Sequence, residues 1–394
     1  MTQQILQREP VSRPVGPAPQ GPTQRAERAS APPSSAASLA ARRSADATST
    51  PWLTRFARNL APQDWYIVAY FSVMTLAVVF GSGPGREHSL KLIAIDVSCL
   101  AVGLALTRGE IIPRGTFVGS MLYRLTVWLT VFCSYFQLRH ILPAVSERAV
   151  DADLFSFDLH VFHVEPSLAW DRFVTPVTTE WFAFFYFGYF FLLSAHVLLP
   201  MLFAKSAFRL SHLALGIFIV FCTGHLVYMV VPGYGPYRFL EEAFHHELTG
   251  GPSWHAVQAT VSAGGAMKDI FPSLHTACPT YFTLYSFRYR KVLPYKYTWM
   301  VTGFCATQII GATMFLRWHY LIDIFAGITL ATIAVTLSEV LVVWDARRRE
   351  RITRELGAEA VQANFELLDY SWVKRLLGAP RTEDRAPRTE VRGS

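Results

Sequence analysis

Eight stretches of mostly apolar residues, each near the length that crosses a hydrocarbon core, recur through residues 65–344 with short polar turns between them, and this constrains the fold more than any other feature. They run over 65–80, 90–107, 117–138, 181–203, 210–231, 272–287, 298–316 and 319–344, the first and sixth being the shortest. In lipid every backbone polar group must be satisfied within the protein, so such a chain is read as an all-α, polytopic membrane helix bundle of about eight transmembrane helices. With 52% apolar and only 16% charged residues, a disordered chain and a small secreted disulfide domain are both excluded. Cys99, Cys133, Cys222, Cys278 and Cys305 are an odd set inside apolar runs without ligand spacing, read as small buried residues rather than disulfides or a zinc site.

The formal charge of +7 is spread between the apolar segments, with no aromatic or helix-turn-helix context for nucleic acid. Its distribution reports orientation. Arg108 and Arg114, then Lys205 and Arg209, then Arg288, Arg290, Lys291 and Lys296, and last Arg347 to Arg354 fall on alternate connections, which predicts that both termini are cytoplasmic. The intervening connections, 139–180 and 231–271 among them, then face the exterior, the periplasm or an organelle lumen. The first of these holds an aromatic and charged run, 154–172, suited equally to the lipid interface and to a packed loop. Residues 1–51 are rich in Pro, Ala, Ser and Arg and read as a disordered cytoplasmic tail. Two extra helices then occupy 52–116, a catalytic core 117–344 and a basic, amphipathic cytoplasmic tail 345–394. In that tail Phe365, Leu368, Trp372 and Leu376 recur at helical spacing with Lys374 and Arg375 nearby, which suits an interfacial cytoplasmic helix and a solvated tail equally.

Chemistry concentrates at the outer ends of the spans. Pro272 and Ser273 open the sixth span as helix starts do, and the unpaired N–H groups there, with the positive end of the helix dipole, suit a phosphate that His275 can approach as proton donor. A plain helix cap beside an interfacial histidine uses the same residues. Arg317, His319 and Asp323 lie where the seventh span turns into the eighth. His319 and Asp323 are four apart, so on a helix the carboxylate can hold one ring nitrogen and leave the other for nucleophilic or base work, and a structural pair locking two helices is the alternative. Arg238, after Pro232 and Gly233, reaches the same face, and with Arg317 and Lys268 it offers cations for phosphate oxygens. Two candidate ligands make a poor metal site, and no metal or cofactor is expected. His225 suits an interhelical hydrogen bond, His245, His246 and His255 suit solvent, and Asp96 needs a partner, for which Arg124 is the candidate.

Phe271 to His275 (FPSLH), followed about forty residues later by Thr313 to Asp323 (TMFLRWHYLID), resembles the paired signatures of the type-2 phosphatidic acid phosphatase superfamily. More narrowly, it is similar to the inositol phosphorylceramide synthase branch, as is the segment Asp158 to Pro166. The resemblance covers roughly 117–344 and implies a six-helix core. It also implies that His319 attacks phosphorus to form a phosphohistidine, that Asp323 orients it and that His275 protonates the leaving group. Ser273, Arg238, Arg317 and Lys268 would hold the phosphate. The superfamily's phosphatases often carry an arginine where this chain has Thr313, and a Lys with Arg-Pro where it has only the segment ending at Arg238; the synthase branch shares the first departure. The implied partners are a phospholipid donor in the bilayer and a lipid alcohol acceptor. Hydrolysis of a lipid phosphate with water as acceptor is the alternative, and a non-catalytic lipid or anion transporter the alternative from another class.

Overall fold

The computed structural model describes residues 51–264 and 268–371, and these form helices joined by short connections, with no strands among them. The predicted tail 1–51 lies outside the described residues save for Pro51. In chain order the helices are α1 (Trp52–Asn59), α2 (Pro62–Val79), α3 (Arg86–Arg108), α4 (Phe117–Val145), α5 (Asp151–Val161), α6 (Pro166–Trp170), α7 (Pro176–Phe203), α8 (Ala207–Val230), α9 (Pro236–Phe239), α10 (Pro252–Gly264), α11 (Leu274–Arg288), α12 (Tyr295–Phe315) and α13 (Leu321–Leu356). Each expected span has its helix. By length and apolar composition α3, α4, α7, α8 and α13 can cross a membrane, and the chain is an integral membrane protein built as an all-α polytopic bundle.

The helix starts follow local chemistry. Thr116, Thr175, Ser206 and Ser273 each accept a backbone N–H with their hydroxyl at the head of α4, α7, α8 and α11, and Pro176 takes the first position of α7, where an amide has no helical partner. Helix α11 sits among α12, α13, α8 and α7. It approaches α13 closely because Gly327 has no side chain: a Cβ there would lie 2.7 Å from the Ser273 carbonyl and 3.0 Å from Thr276 Cβ. His225 of α8 accepts the interhelical role, its Nδ1 3.1 Å from the Tyr70 hydroxyl of α2.

The opposite end of the bundle is held by buried ion pairs. Arg108 Nε lies 3.0 Å from Asp64 Oδ2, Tyr123 donates to the other oxygen at 2.6 Å, and Arg349 Nε lies 2.7 Å from Asp345. Three expectations are corrected here. Arg124 does not partner Asp96; it donates to the carbonyls of Met201 and Glu366, and Asp96 meets Gln137 instead. Residues 361–370 do not continue as a helix but run back across this end of the bundle, with Phe365 buried. Arg108, Arg124 and Arg349 need acceptors, and an extended segment presents the carbonyls of Gln362, Ala363, Asn364 and Glu366 that a helix would consume internally. Trp372 and Leu376 lie outside the described residues. Cys222 and Cys278 are buried as expected, whereas Cys99 and Cys133 sit on outward faces, where a thiol is apolar enough for lipid.

Candidate active site

The connections at one end of the bundle are tied by carboxylates that grip backbone amides. Asp151 accepts from Tyr234 N at 3.0 Å, Gly235 N at 2.8 Å and the Tyr320 hydroxyl at 3.2 Å, fixing the turn after α8 against the turn before α13. Gly235 adopts φ +95°, and a Cβ there would stand 2.4 Å from the Trp318 carbonyl, so only glycine fits. Asp158 accepts from Leu321 N at 2.6 Å and Ile322 N at 3.0 Å, covering the open amides of α13. Glu165 takes Ser167 N and Oγ on one oxygen and faces Asp158 with its carboxyl. Burial, with Asp158 and Asp323 nearby, pushes the Glu165 carboxyl up to about 7.

His319 lies in the five-residue turn between α12 and α13. Arg317 there has φ +68°, and the Trp318 and His319 amides both donate to the Thr313 carbonyl, so the chain reverses within one turn. Asp323 Oδ2 accepts the Tyr320 amide at 2.9 Å and lies 3.2 Å from His319 Nδ1, so one carboxylate caps α13 and orients the imidazole. His275, on the first turn of α11, stacks on Tyr186 of α7 at 4.4 Å and meets the tilted ring of Tyr189 at 4.2 Å, and its Nε2 is buried without a hydrogen-bond partner among the described residues. The two histidine rings are 6.5 Å apart between centroids. Both line one cavity of about 80 Å³.

The remaining expected residues divide. Arg238 is exposed and stacks on Tyr234, a cavity residue, at 4.0 Å. Ser273 spends its hydroxyl on the Thr276 amide at 3.2 Å as the cap of α11. Arg317 pairs with Asp171 at 2.8 Å, bonds the His246 carbonyl and covers Phe244 at 3.8 Å. Asp171 also accepts from His246 Nδ1 at 2.9 Å, so His246 is tied down rather than free in solvent. Lys268 gives its ammonium to the Glu147 and Arg148 carbonyls at 2.7 and 3.1 Å. Ser273, Arg317 and Lys268 do not line the cavity, and neither does Arg238 itself. Ser273, Arg317 and Lys268 are each consumed by a donor or acceptor that linear spacing does not reveal, while Arg238 stays exposed on the Tyr234 ring.

One cavity group carries no role in the sequence reading. Asp269 lines the same cavity as the two histidines, its backbone bridged to Gly233, with the Tyr135 hydroxyl 3.4 Å from Oδ2. Burial pushes its carboxyl up to about 6 against the pull of His319. Its adjacency to His275 in sequence, six residues on, is the signal that was available. A second cavity of about 300 Å³ adjoins the first and shares Tyr135, Phe190, Asp269 and His275 with it, and its other walls are mostly apolar side chains of α4, α7 and α8. Among the described residues no cluster suits a metal ion.

Fold and site together define an integral membrane helix bundle carrying an oriented histidine, a second histidine and a carboxylate at one end. Residues 153–337 match the family model of the PAP2 superfamily, a match that supports phosphatase or phosphotransferase activity in general. The comparisons with curated proteins and with solved structures returned no match.

Proposed function

We propose that the protein is a lipid phosphotransferase that moves a phosphorylated head group from a phospholipid to a lipid alcohol through a phosphohistidine, as in the inositol phosphorylceramide synthase branch. The observation that carries this is the pairing of His319 with Asp323 across one cavity from an unpartnered His275. Two rings with centroids 6.5 Å apart on one cavity offer a nucleophile and a proton donor to a single phosphate. With Nδ1 of His319 engaged by Asp323, Nε2 forms the bond to phosphorus as the bond from phosphorus to the glyceride oxygen breaks, and that oxygen takes a proton from His275. The acceptor hydroxyl then attacks the phosphohistidine, passes its proton to His275 and releases His319. Water in the acceptor's place makes the same site a phosphatase. The apolar cavity beside the catalytic one favours a lipid in both roles, and the alternation of basic connections favours an outward-facing site with both termini cytoplasmic.

The test is lipid mass spectrometry on purified wild type and His319→Ala, given mixed phospholipids and a ceramide or diacylglycerol acceptor, with free phosphate counted in parallel. A new head-group-bearing lipid made by wild type and reduced by several orders of magnitude in the variant is the expected outcome. Phosphate release without such a lipid replaces transfer by hydrolysis. Equal behaviour of the two proteins rejects the phosphohistidine and restores the transporter.

A further inference from the structure

A cavity of about 410 Å³ opens at the end of the bundle away from the histidines, where α7 turns into α8 and the connection from α11 reaches α12. That size falls within the range of about 300–1,000 Å³ common for small-molecule sites. Along α7, its residues Leu199 and Phe203 stand about 15–25 Å from Tyr189 and Tyr186, the rings against His275. The floor is fixed, because the Tyr285 hydroxyl of α11 donates to the Arg209 carbonyl at 2.9 Å and the Tyr285 ring meets Tyr295 edge-on at 5.5 Å. The mouth is apolar: Leu199, Phe203 and Leu293 are each more than half exposed, which in a membrane turns them to acyl chains. Among the described lining residues the charged ones are Lys205 and Arg209, with no carboxylate facing them. Neither head group has an ion pair or hydrogen bond among the described residues. By contrast, Arg108, Arg124 and Arg349 are engaged by backbone carbonyls and Arg288 by Glu339. Ser206 caps α8 by accepting the Arg209 amide, so the positive end of a 24-residue helix lies beside the same two cations.

We propose that this cavity is a second lipid site, holding an anionic phospholipid of the leaflet away from the histidines, its phosphate between Lys205 and Arg209 and the head of one chain against Leu199, Phe203 and Leu293. Two unengaged cations without a facing carboxylate attract phosphate oxygens, and the apolar mouth, by thinning the water around them, strengthens that attraction. The same mouth selects a lipid over a soluble anion, because a chain covers the apolar surface that a free phosphate would leave exposed. A lipid seated here touches the ends of α7, α8, α11 and α12 at once, so it fastens the far end of the helix that carries His275. It acts on the fold and takes no part in the reaction.

The experiment titrates detergent-purified full-length protein with phosphatidylglycerol and phosphatidylcholine of equal acyl composition, reading retained lipid by native mass spectrometry and the melting temperature in parallel. Wild type should bind phosphatidylglycerol at least about tenfold more tightly and melt at a higher temperature with it, as expected for a ligand of the folded state. Lys205→Gln combined with Arg209→Gln should lower that affinity by about thirtyfold, about fivefold for each cation. Arg290→Gln combined with Lys291→Gln, which removes two exposed charges outside the cavity, should change it little. Because anionic lipid also has access to the catalytic cavity, the place of binding is read with phosphatidylglycerol that carries a diazirine near the head of one chain. Crosslinks should fall within 199–213 or 293–295. Crosslinks confined to the catalytic cavity, equal affinity for the two lipids, equal losses in the two double variants, or displacement by glycerol phosphate as effective as by the lipid each overturns the proposal. Should the Lys205 and Arg209 variant fail to fold, Leu293→Glu sets a carboxylate at the exposed mouth instead, and undiminished affinity there overturns the proposal as well.

Discussion

At the scale of single residues, Asp323 couples two tasks that are usually separate, since one oxygen caps its own helix and holds the ring of His319. Asp323→Asn keeps the volume yet presents an amide that accepts poorly from both, and it permits the wrong imidazole tautomer. Turnover should fall by about a thousandfold or more while the protein stays folded, the size seen when a histidine loses its orienting carboxylate. Steady-state kinetics beside a thermal melt would check it, and an activity loss matched by unfolding would contradict it. Glu165 yields a prediction in pH. Its folded-state carboxyl is raised to about 7 from 4.5, so the folded chain holds this proton more tightly than the unfolded one. Stability from this group is therefore greatest below about pH 4.5, declines as pH rises toward about 7 and is flat beyond. Glu165→Gln mimics the protonated form and should flatten that decline, raising the melting temperature near pH 8 by a few degrees with little change near pH 4. Of these residues, His275, His319 and Asp323 were legible from two short motifs and one helical spacing. Asp269 was not, because its meaning depends on Tyr135, 134 positions away, and on a cavity assembled from six segments. The cations were legible as charges and not as roles: Arg317 points to Asp171, 146 positions earlier.

At the scale of elements, the histidines meet because α11 and α13 pack without an intervening side chain. Gly327 makes that approach, and Gly327→Ala sets a methyl 2.7 Å from the Ser273 carbonyl, closer than real contacts permit. The backbone of α11 must then move away, and it carries His275. Overpacking of this kind costs about 1–3 kcal/mol. Activity should drop at least about a hundredfold, because catalytic geometry tolerates less than an ångström of displacement. Comparing the melting temperature with the turnover of the variant checks this: a lower melting temperature with unchanged turnover would show that the approach of the helices does not set the distance between the histidines. The long helices were legible through their apolar runs. The short ones, α1, α5, α6, α9 and α10, were not, since each is stabilised by a distant carboxylate or by packing: Asp151 holds the turn that leads into α9, and Glu180 accepts the opening amides of α10 at 2.7 and 2.8 Å. Helix α5 instead reaches back to cap α13 with Asp158 and leaves Phe157 and Val161 exposed, so the connection is both packed and suited to an interface.

At the scale of the molecule, the two ends of the bundle differ in how they handle charge. The end that carries the histidines uses carboxylates to gather backbone amides, whereas the other end uses arginines to gather backbone carbonyls and keeps a surplus of basic residues: Arg290 and Lys291 in the connection from α11 to α12, Lys296 on the first turn of α12, and Arg347 to Arg354 on the extension of α13. The proposed orientation, with the basic connections kept on the cytoplasmic side, puts His275 and His319 outside. The prediction uses two exposed positions, Glu242 near α9 and Lys291 beyond α11. In a background with the five native cysteines changed to alanine, Glu242→Cys should react with a membrane-impermeant maleimide on intact cells, and Lys291→Cys only after the membrane is opened. The opposite pattern would put the histidines on the cytoplasmic side and would require the acceptor to be drawn from that leaflet. Labelling of both positions on intact cells would mean that α11, the expected span between them and only 15 residues long, does not cross.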